Sequence, residues 1–257
     1  MQISLALRYK ELLRQGSPLP SFDEVEFRAY SQNGEDGILL YIFSLIGTTN
    51  KQVVEICAGD GIECNSANLI IHHGWEALLF DGNEAIIQKG RAFYTHHPDT
   101  FLWPPRFVHA WITPQNINAL IQNNGFSGSI DLLSLDLDSV DYWIWKAIDV
   151  IQPRVVVVEY QDAWGPEKAV TVACEQEFSA ATVGTAGASL AAFVKLSKAK
   201  GYRLVGCQRY GFNAFFVQNG IAEDVLPEID PKTVFHHPRH KEERDTARLH
   251  QHKWVEV

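Results

Sequence analysis

The chain has 257 residues, 46% of them hydrophobic, and a formal net charge of −9 at pH 7. That length and apolar content build one sizeable α/β core without demanding a second, and the acidic balance offers no basic stripe to displace phosphate counterions, which excludes sequence-independent binding to nucleic acid. No apolar run approaches the roughly 20 residues that span a bilayer, so a soluble, cytoplasmic protein with a small-molecule partner and no membrane contact is expected.

Residues 1–30 read as a helical extension followed by a proline-containing connection. The stretch 51–56 (KQVVEI) is a short β-branched run that stops at Cys57-Ala-Gly-Asp-Gly61, which is turn chemistry. Asn65 or Ser66 is placed to cap a helix running to about His73, Gly74 stops it, and 76–80 (EALLF) makes a second strand ending at Asp81. That completes a βαβ unit. Further on, the pattern predicts a third strand over 106–112, a helix over 116–123, a fourth strand over 130–135, a helix over 140–151 and a fifth strand over 155–160. Helices alternating with fully apolar strands imply a mostly parallel, doubly wound sheet covered on both faces.

The last third changes character. Residues 188–200 form an amphipathic helix stopped by Gly201, and 202–207 and 213–218 are two strands around a tight 209–212 segment, so the sheet ends in an antiparallel hairpin. Before them, 161–187 is an insertion of mixed composition after the fifth strand, at the sheet edge where substrates usually lie. The histidine-rich, charged tail 235–257 reads as a solvated, helical appendage in preference to a metal site. All of this is read as one domain, 1–257, of open oligomeric state, a homodimer included. The four cysteines are irregularly spaced, with no C-x-x-C pair to suggest zinc or a redox dithiol.

Two glycines two apart, Gly59 and Gly61, directly after an acid at a strand end, Glu55, let a ligand approach the backbone unobstructed by Cβ. A dinucleotide fingerprint G-x-G-x-x-G needs a third glycine where this chain has Cys64, and the acids Glu55, Asp60 and Glu63 repel a pyrophosphate. A nucleoside without phosphates and with a positive sulfonium, S-adenosylmethionine (SAM), suits that turn better than NAD. Asp81 stands where an acid in such folds accepts hydrogen bonds from ribose hydroxyls. Taken singly, these residues are as well explained by a tight turn and a helix cap; in order at consecutive strand ends, they are not.

At this point the chain resembles the FkbM family of methyltransferases. The resemblance runs through Tyr30-Ser-Gln-Asn-Gly-Glu-Asp-Gly37, Val54-Glu-Ile-Cys-Ala-Gly-Asp-Gly-Ile-Glu-Cys-Asn65, Gly74-Trp-Glu-Ala-Leu-Leu-Phe-Asp-Gly82, Asp131-Leu-Leu-Ser-Leu-Asp-Leu-Asp138 with Asp141-Tyr-Trp-Ile-Trp145, and Gly211-Phe-Asn-Ala-Phe-Phe216, and covers roughly residues 30–218. It implies a Rossmann-like class I methyltransferase fold, SAM as cofactor, and O-methylation of natural-product or sugar hydroxyls. By it, Ser31, Gln32 and Glu35 border the cofactor at its methionine end, Glu55, Gly59 and Gly61 line the turn, and Asp81 binds ribose. Trp111 is set either against adenine or in the core.

A second group of acids, Asp136, Asp138, Asp141, Glu159 and Asp162, falls at the ends of the fourth and fifth strands, which are neighbours in a doubly wound sheet. Carboxylates converging on one mouth repel each other unless something positive sits there. A hard cation such as Mg²⁺ on Asp138, Glu159 and Asp162 is one answer; Asp136 or Asp138 as general base near a cationic cofactor, or simple cap roles, are the others. The rival functions are a SAM-using enzyme that cyclises or reworks the cofactor itself, and a non-catalytic binding protein on the same fold.

Overall fold

The computed structural model describes residues 1–174, 186–241 and 252–257. The chain opens with helix α1 (Gln2–Arg14), the short α2 (Phe22–Val25) and α3 (Glu35–Ile46). The alternating part follows: β1 (Gln52–Ile56), α4 (Ala67–His73), β2 (Glu76–Asp81), α5 (Glu84–His96), β3 (Arg106–His109), α6 (Ile117–Asn123), β4 (Gly128–Leu135), α7 (Asp141–Ala147) and β5 (Ile151–Glu159). It closes with β6 (Val170–Val172), α8 (Leu190–Lys200), β7 (Tyr202–Cys207), β8 (Asn213–Gln218) and β9 (Trp254–Glu256).

Seven strands make one sheet in the order β3-β2-β1-β4-β5-β8-β7, parallel except where β8 runs antiparallel to both β5 and β7. This is the mostly parallel, doubly wound sheet closed by an antiparallel hairpin that the sequence pattern predicts. The period of two along each strand sends side chains to two separate cores. Val54, Ile56, Val156 and Val158 pack with Ile121 of α6, Trp145 of α7 and Phe193 of α8. Their neighbours Val53, Val155 and Val157 pack with Tyr9 of α1, Ile42 of α3, Ile70 of α4 and Ile87 of α5. Both faces are therefore buried, which is why the strands read as nearly continuous apolar runs.

Several boundaries move from the sequence expectation, each for a tertiary reason. The third strand ends at His109 instead of 112, because β3 is an edge and pairs only with β2, from Leu78↔Arg106 to Asp81↔His109. The helix expected over 140–151 stops at Ala147, and β5 begins at Ile151, taking in Pro153. A proline is poorly suited to a central strand. Here β8 pairs with β5 only over Val155–Glu159, so Pro153 has β4 on one flank and no second ladder to interrupt.

The expected solvated tail is also corrected. Its last strand, β9, pairs antiparallel with β6 of the insertion, and both His240 and His252 are buried. The remainder of the tail, 242–251, and 175–185 of the insertion lie outside the described residues. Among the described residues no helix is long and apolar enough to cross a membrane.

Candidate active site

The strand order reverses between β1 and β4, since the chain winds outward to β2 and β3 on one side and to β5 on the other. At such a switch point the loops leave the carboxyl ends of neighbouring strands in opposite directions and open a crevice. A cavity of about 260 Å³ lies there, reached by Gln32, Cys57 and Gly59 on one side and by Asp136, Asp138 and Glu159 on the other.

The turn after β1 is built around Glu55. Its buried carboxylate accepts hydrogen bonds from the backbone N–H of Asn65 and of Ser66, both at 2.9 Å, and from the Ser134 hydroxyl at 3.0 Å. The cap expected from Asn65 or Ser66 is thus supplied across the turn by the strand-end acid. Gly59 stands at φ 60° with open space beside it, and its N–H donates to Asp81 Oδ2 at 3.0 Å. Asp81 Oδ1 accepts from Asn83 N–H at 2.8 Å, so this carboxylate ties the first two strand ends together. Gly61 serves packing: a Cβ there would meet Leu79 and Phe107 at 2.9 Å.

Of the Ser31–Glu35 segment, only Gln32 lines the cavity. Ser31 and Glu35 are fully buried behind it. Ser31 Oγ accepts from Asp36 N–H at 3.1 Å while Asp36 Oδ2 accepts from the N–H groups of Ala29, Tyr30 and Ser31 at 2.7 to 2.8 Å. Glu35 accepts from Asn33 and Gly34 N–H and, on its other oxygen, from Asn213 Nδ2 at 3.0 Å. The conspicuous box of polar residues therefore shapes the loop and orients two cavity residues, Gln32 and Asn213.

Trp111 is 72% exposed and lies over Gly82, where its ring carbon would stand 3.3 Å from an added Cβ. It is not a core residue. Its indole stands beside Gly82 as an open aromatic surface.

The acids after β4 and β5 divide into two sets. Asp136, Asp138 and Glu159 each offer a carboxylate oxygen, all within 4.8 Å of one another. Asp162 is not with them: its Oδ2 accepts from Arg239 Nη1 at 3.0 Å and meets His240 Nδ1 at 3.1 Å. Asp141 is buried under the loop and accepts from the N–H groups of Leu137 and Ser139 at 2.7 and 3.0 Å, so it is a fixture of the turn.

Burial pushes the Asp136 carboxyl up to about 7, helped by Asp141 and Asp138 and opposed by a hydrogen bond with Glu159. Burial, with repulsion from Asp136 and Asp138, raises Glu159 well above the usual carboxylate range. Burial pushes the Asp141 carboxyl up to about 6 despite its two backbone donors. The Cys57 thiol is raised by burial and by the acids around it, which favours the neutral thiol.

A second pocket of about 70 Å³ shares Asp138 and Glu159 with the first and continues toward Gln161, Phe212 and Arg239, whose guanidinium lies 4.6 Å from the Phe212 ring centroid. Asn213, Arg239 and His240 were not singled out from the sequence. For Asn213 a signal existed, an amide opening an apolar run at 214–217; Arg239 and His240 reach the site only because the tail folds back.

No protein-family model and no curated protein matches the chain. Several solved structures resemble it remotely. Magnesium protoporphyrin IX methyltransferase from Synechocystis PCC 6803 with bound SAM is 10% identical, covering 72% of this chain and 78% of that one at a TM-score of 0.43. A glycopeptide N-methyltransferase with bound SAM is 13% identical, covering 78% and 100% at 0.44. Mitomycin 7-O-methyltransferase is 14% identical, covering 68% and 50% at 0.41.

Proposed function

We propose that the chain is a SAM-dependent methyltransferase that O-methylates a hydroxyl of a small molecule, of the natural-product or sugar class to which the FkbM resemblance points. The observation that carries the cofactor reading is the Glu55 carboxylate on the Asn65 and Ser66 N–H groups. A pyrophosphate at this turn would need those donors, and they are already taken by an anion. Asp60 and Glu63, by contrast, are paired with Lys89 and Arg28, so Glu55 is the acid at this turn that opposes a phosphate.

Within that reading the turn at Gly59 brings bare backbone to the ligand, Asp81 accepts from the ribose hydroxyls with its remaining lone pairs, Trp111 covers the adenine, and Gln32 meets the methionine end. SAM, when bound, supplies an electrophilic methyl group on a sulfonium. The residues of this chain align the acceptor oxygen and take up its proton. Asp138, shared by the two pockets, is the base assigned to that step. Asp136 and Glu159, which share a hydrogen bond, hold the floor beside it.

Isothermal titration with SAM, S-adenosylhomocysteine and NAD tests the reading. Saturable binding of the two adenosyl-sulfur ligands and none of NAD is expected, with Asp138→Asn leaving SAM affinity within a few-fold of the parent while abolishing methyl transfer from radiolabelled SAM to a hydroxylated acceptor. NAD binding in place of SAM would refute it.

A further inference from the structure

We infer that Asp136, Asp138, Glu159 and the side-chain carbonyl oxygen of Asn213 form a binding site for one hard divalent cation at the floor of the cavity. Three observations converge. The three carboxylates bring oxygens within 4.8 Å of one another, and two oxygens across a single Ca²⁺ stand about 4.6–5.2 Å apart, against about 4.0–4.2 Å for Mg²⁺. Oxygens gathered inside that span are close enough to share one hard cation.

The second observation is independent of the acids. Asn213 is 6% exposed, and its Oδ1 is buried without a hydrogen-bond partner among the described residues. The amide orientation is fixed, because its Nδ2 must face the acceptor oxygen of Glu35 at 3.0 Å, which turns Oδ1 the other way. A buried amide oxygen left unsatisfied is destabilising, and Asn213 lines the same cavity as the three acids. Four side-chain oxygens from three strand ends meet there, and a hard cation satisfies them together.

The third is register. Asn213 is directly opposite Glu159 in the antiparallel β5–β8 ladder, so both side chains leave the same face as neighbours. Leu135 is opposite Val158 in the parallel β4–β5 ladder, which places Asp136 next to Glu159 one residue further on. The ligand set differs from one drawn from sequence order: Asp136 and Asn213 enter, and Asp162 leaves for Arg239 and His240. A cation here would polarise an acceptor hydroxyl. That consequence rests on the methyltransferase reading, whereas binding does not.

The test is Mn²⁺ titration of the full chain without SAM, following the electron paramagnetic resonance signal of free Mn²⁺ and back-titrating with CaCl₂. One Mn²⁺ per chain, displaced by Ca²⁺, is expected. Asp138→Asn should weaken binding tenfold or more; it is the safest variant for folding because Asn accepts φ 57° as readily as Asp. Asn213→Leu should weaken binding at least threefold, and Asp162→Asn should leave it unchanged. Absence of saturable binding, Mn²⁺ that Ca²⁺ fails to displace and that therefore sits on imidazoles, or equal losses on Asp162→Asn and Asp138→Asn would each overturn the assignment. SAM affinity is measured separately, so failure here leaves the methyltransferase proposal standing, and the reverse holds as well.

Discussion

Asp81 uses both carboxylate oxygens on backbone donors, Gly59 on one side and Asn83 on the other, so it sets the height of the glycine turn. Asp81→Ala is expected to lower SAM affinity tenfold or more with far-UV circular dichroism unchanged; a loss under twofold would remove it from the binding site. Gly90 shows the same coupling at a distance from the cavity. In a helix interior alanine is favoured over glycine by about 1 kcal/mol, yet a Cβ at Gly90 would sit 2.3 Å from the Asp60 carbonyl oxygen and 2.7 Å from Phe107 Cζ. Gly90→Ala should therefore destabilise by about 1–3 kcal/mol in urea unfolding, against its propensity, and weaken SAM binding by displacing the turn. A gain in stability would show that α5 shifts freely. The extended polar box at residues 31–36 was legible as a motif, but its division of labour was not: burial, invisible in a string of letters, sends Ser31 and Glu35 inward and leaves Gln32 at the cavity.

Among the elements, β4 carries the main anchor at the amino edge of the sheet. Asp131 accepts from the N–H groups of Thr49, Asn50 and Lys51 and from Arg154 Nη1 at 2.8 Å, while Arg154 also donates to the carbonyls of Ile46 and Gly47 at the end of α3. One buried pair thus fixes α3, the loop into β1, β4 and β5. Burial alone would raise the Asp131 carboxyl, but Arg154 and the three backbone donors outweigh it and hold it below the ordinary carboxylate value. A depressed native value means that this stabilisation is present above the unfolded value of about 3.9 and is lost as pH falls through the lower native one. Asp131→Ala should cost about 3–5 kcal/mol at neutral pH by stranding Arg154, and the variant's acid limb should be shallower than the parent's in a pH series of urea midpoints. Parallel acid limbs would locate the acid sensitivity elsewhere. On the other face, α7 inserts Trp145, 1% exposed, among Phe193, Tyr202 and Phe216. Trp145→Ala should cost about 3–5 kcal/mol, measured by the same unfolding series.

For the molecule as a whole, the two ends of the second pocket come from segments far apart in sequence. The Trp143 indole donates to the Val172 carbonyl at 2.8 Å, β9 pairs with β6, and Trp254 packs edge-on to Trp164 at 5.0 Å between centroids. Together with Arg239 and His240 on Asp162, they make the C-terminal part of the chain a wall of the second pocket, while the turn after β1 that lines the larger cavity does not rest on it. Deletion of residues 252–257 should lower the melting temperature by about 2–4 °C for each kcal/mol lost and leave SAM affinity unchanged. A matching loss of SAM affinity would mean that the two cavities are coupled through Asp138 and Glu159.

The sequence by itself determined the sheet, its winding and its closing hairpin, and it placed Glu55, Gly59, Asp81, Asp136, Asp138 and Glu159 at strand ends. Those properties follow from local periodicity and turn chemistry, which any window of ten residues carries. Only the tertiary structure decided that Glu55 serves the α4 cap, that Trp111 is an open surface and that β5 accommodates Pro153. It alone exchanged Asp162 for Asn213 beside the carboxylates and folded the histidine-rich tail onto the insertion. Each of these depends on a partner between 10 and about 85 residues away or on a neighbouring strand's length, and such pairings arise from packing and long-range register, which local sequence does not encode.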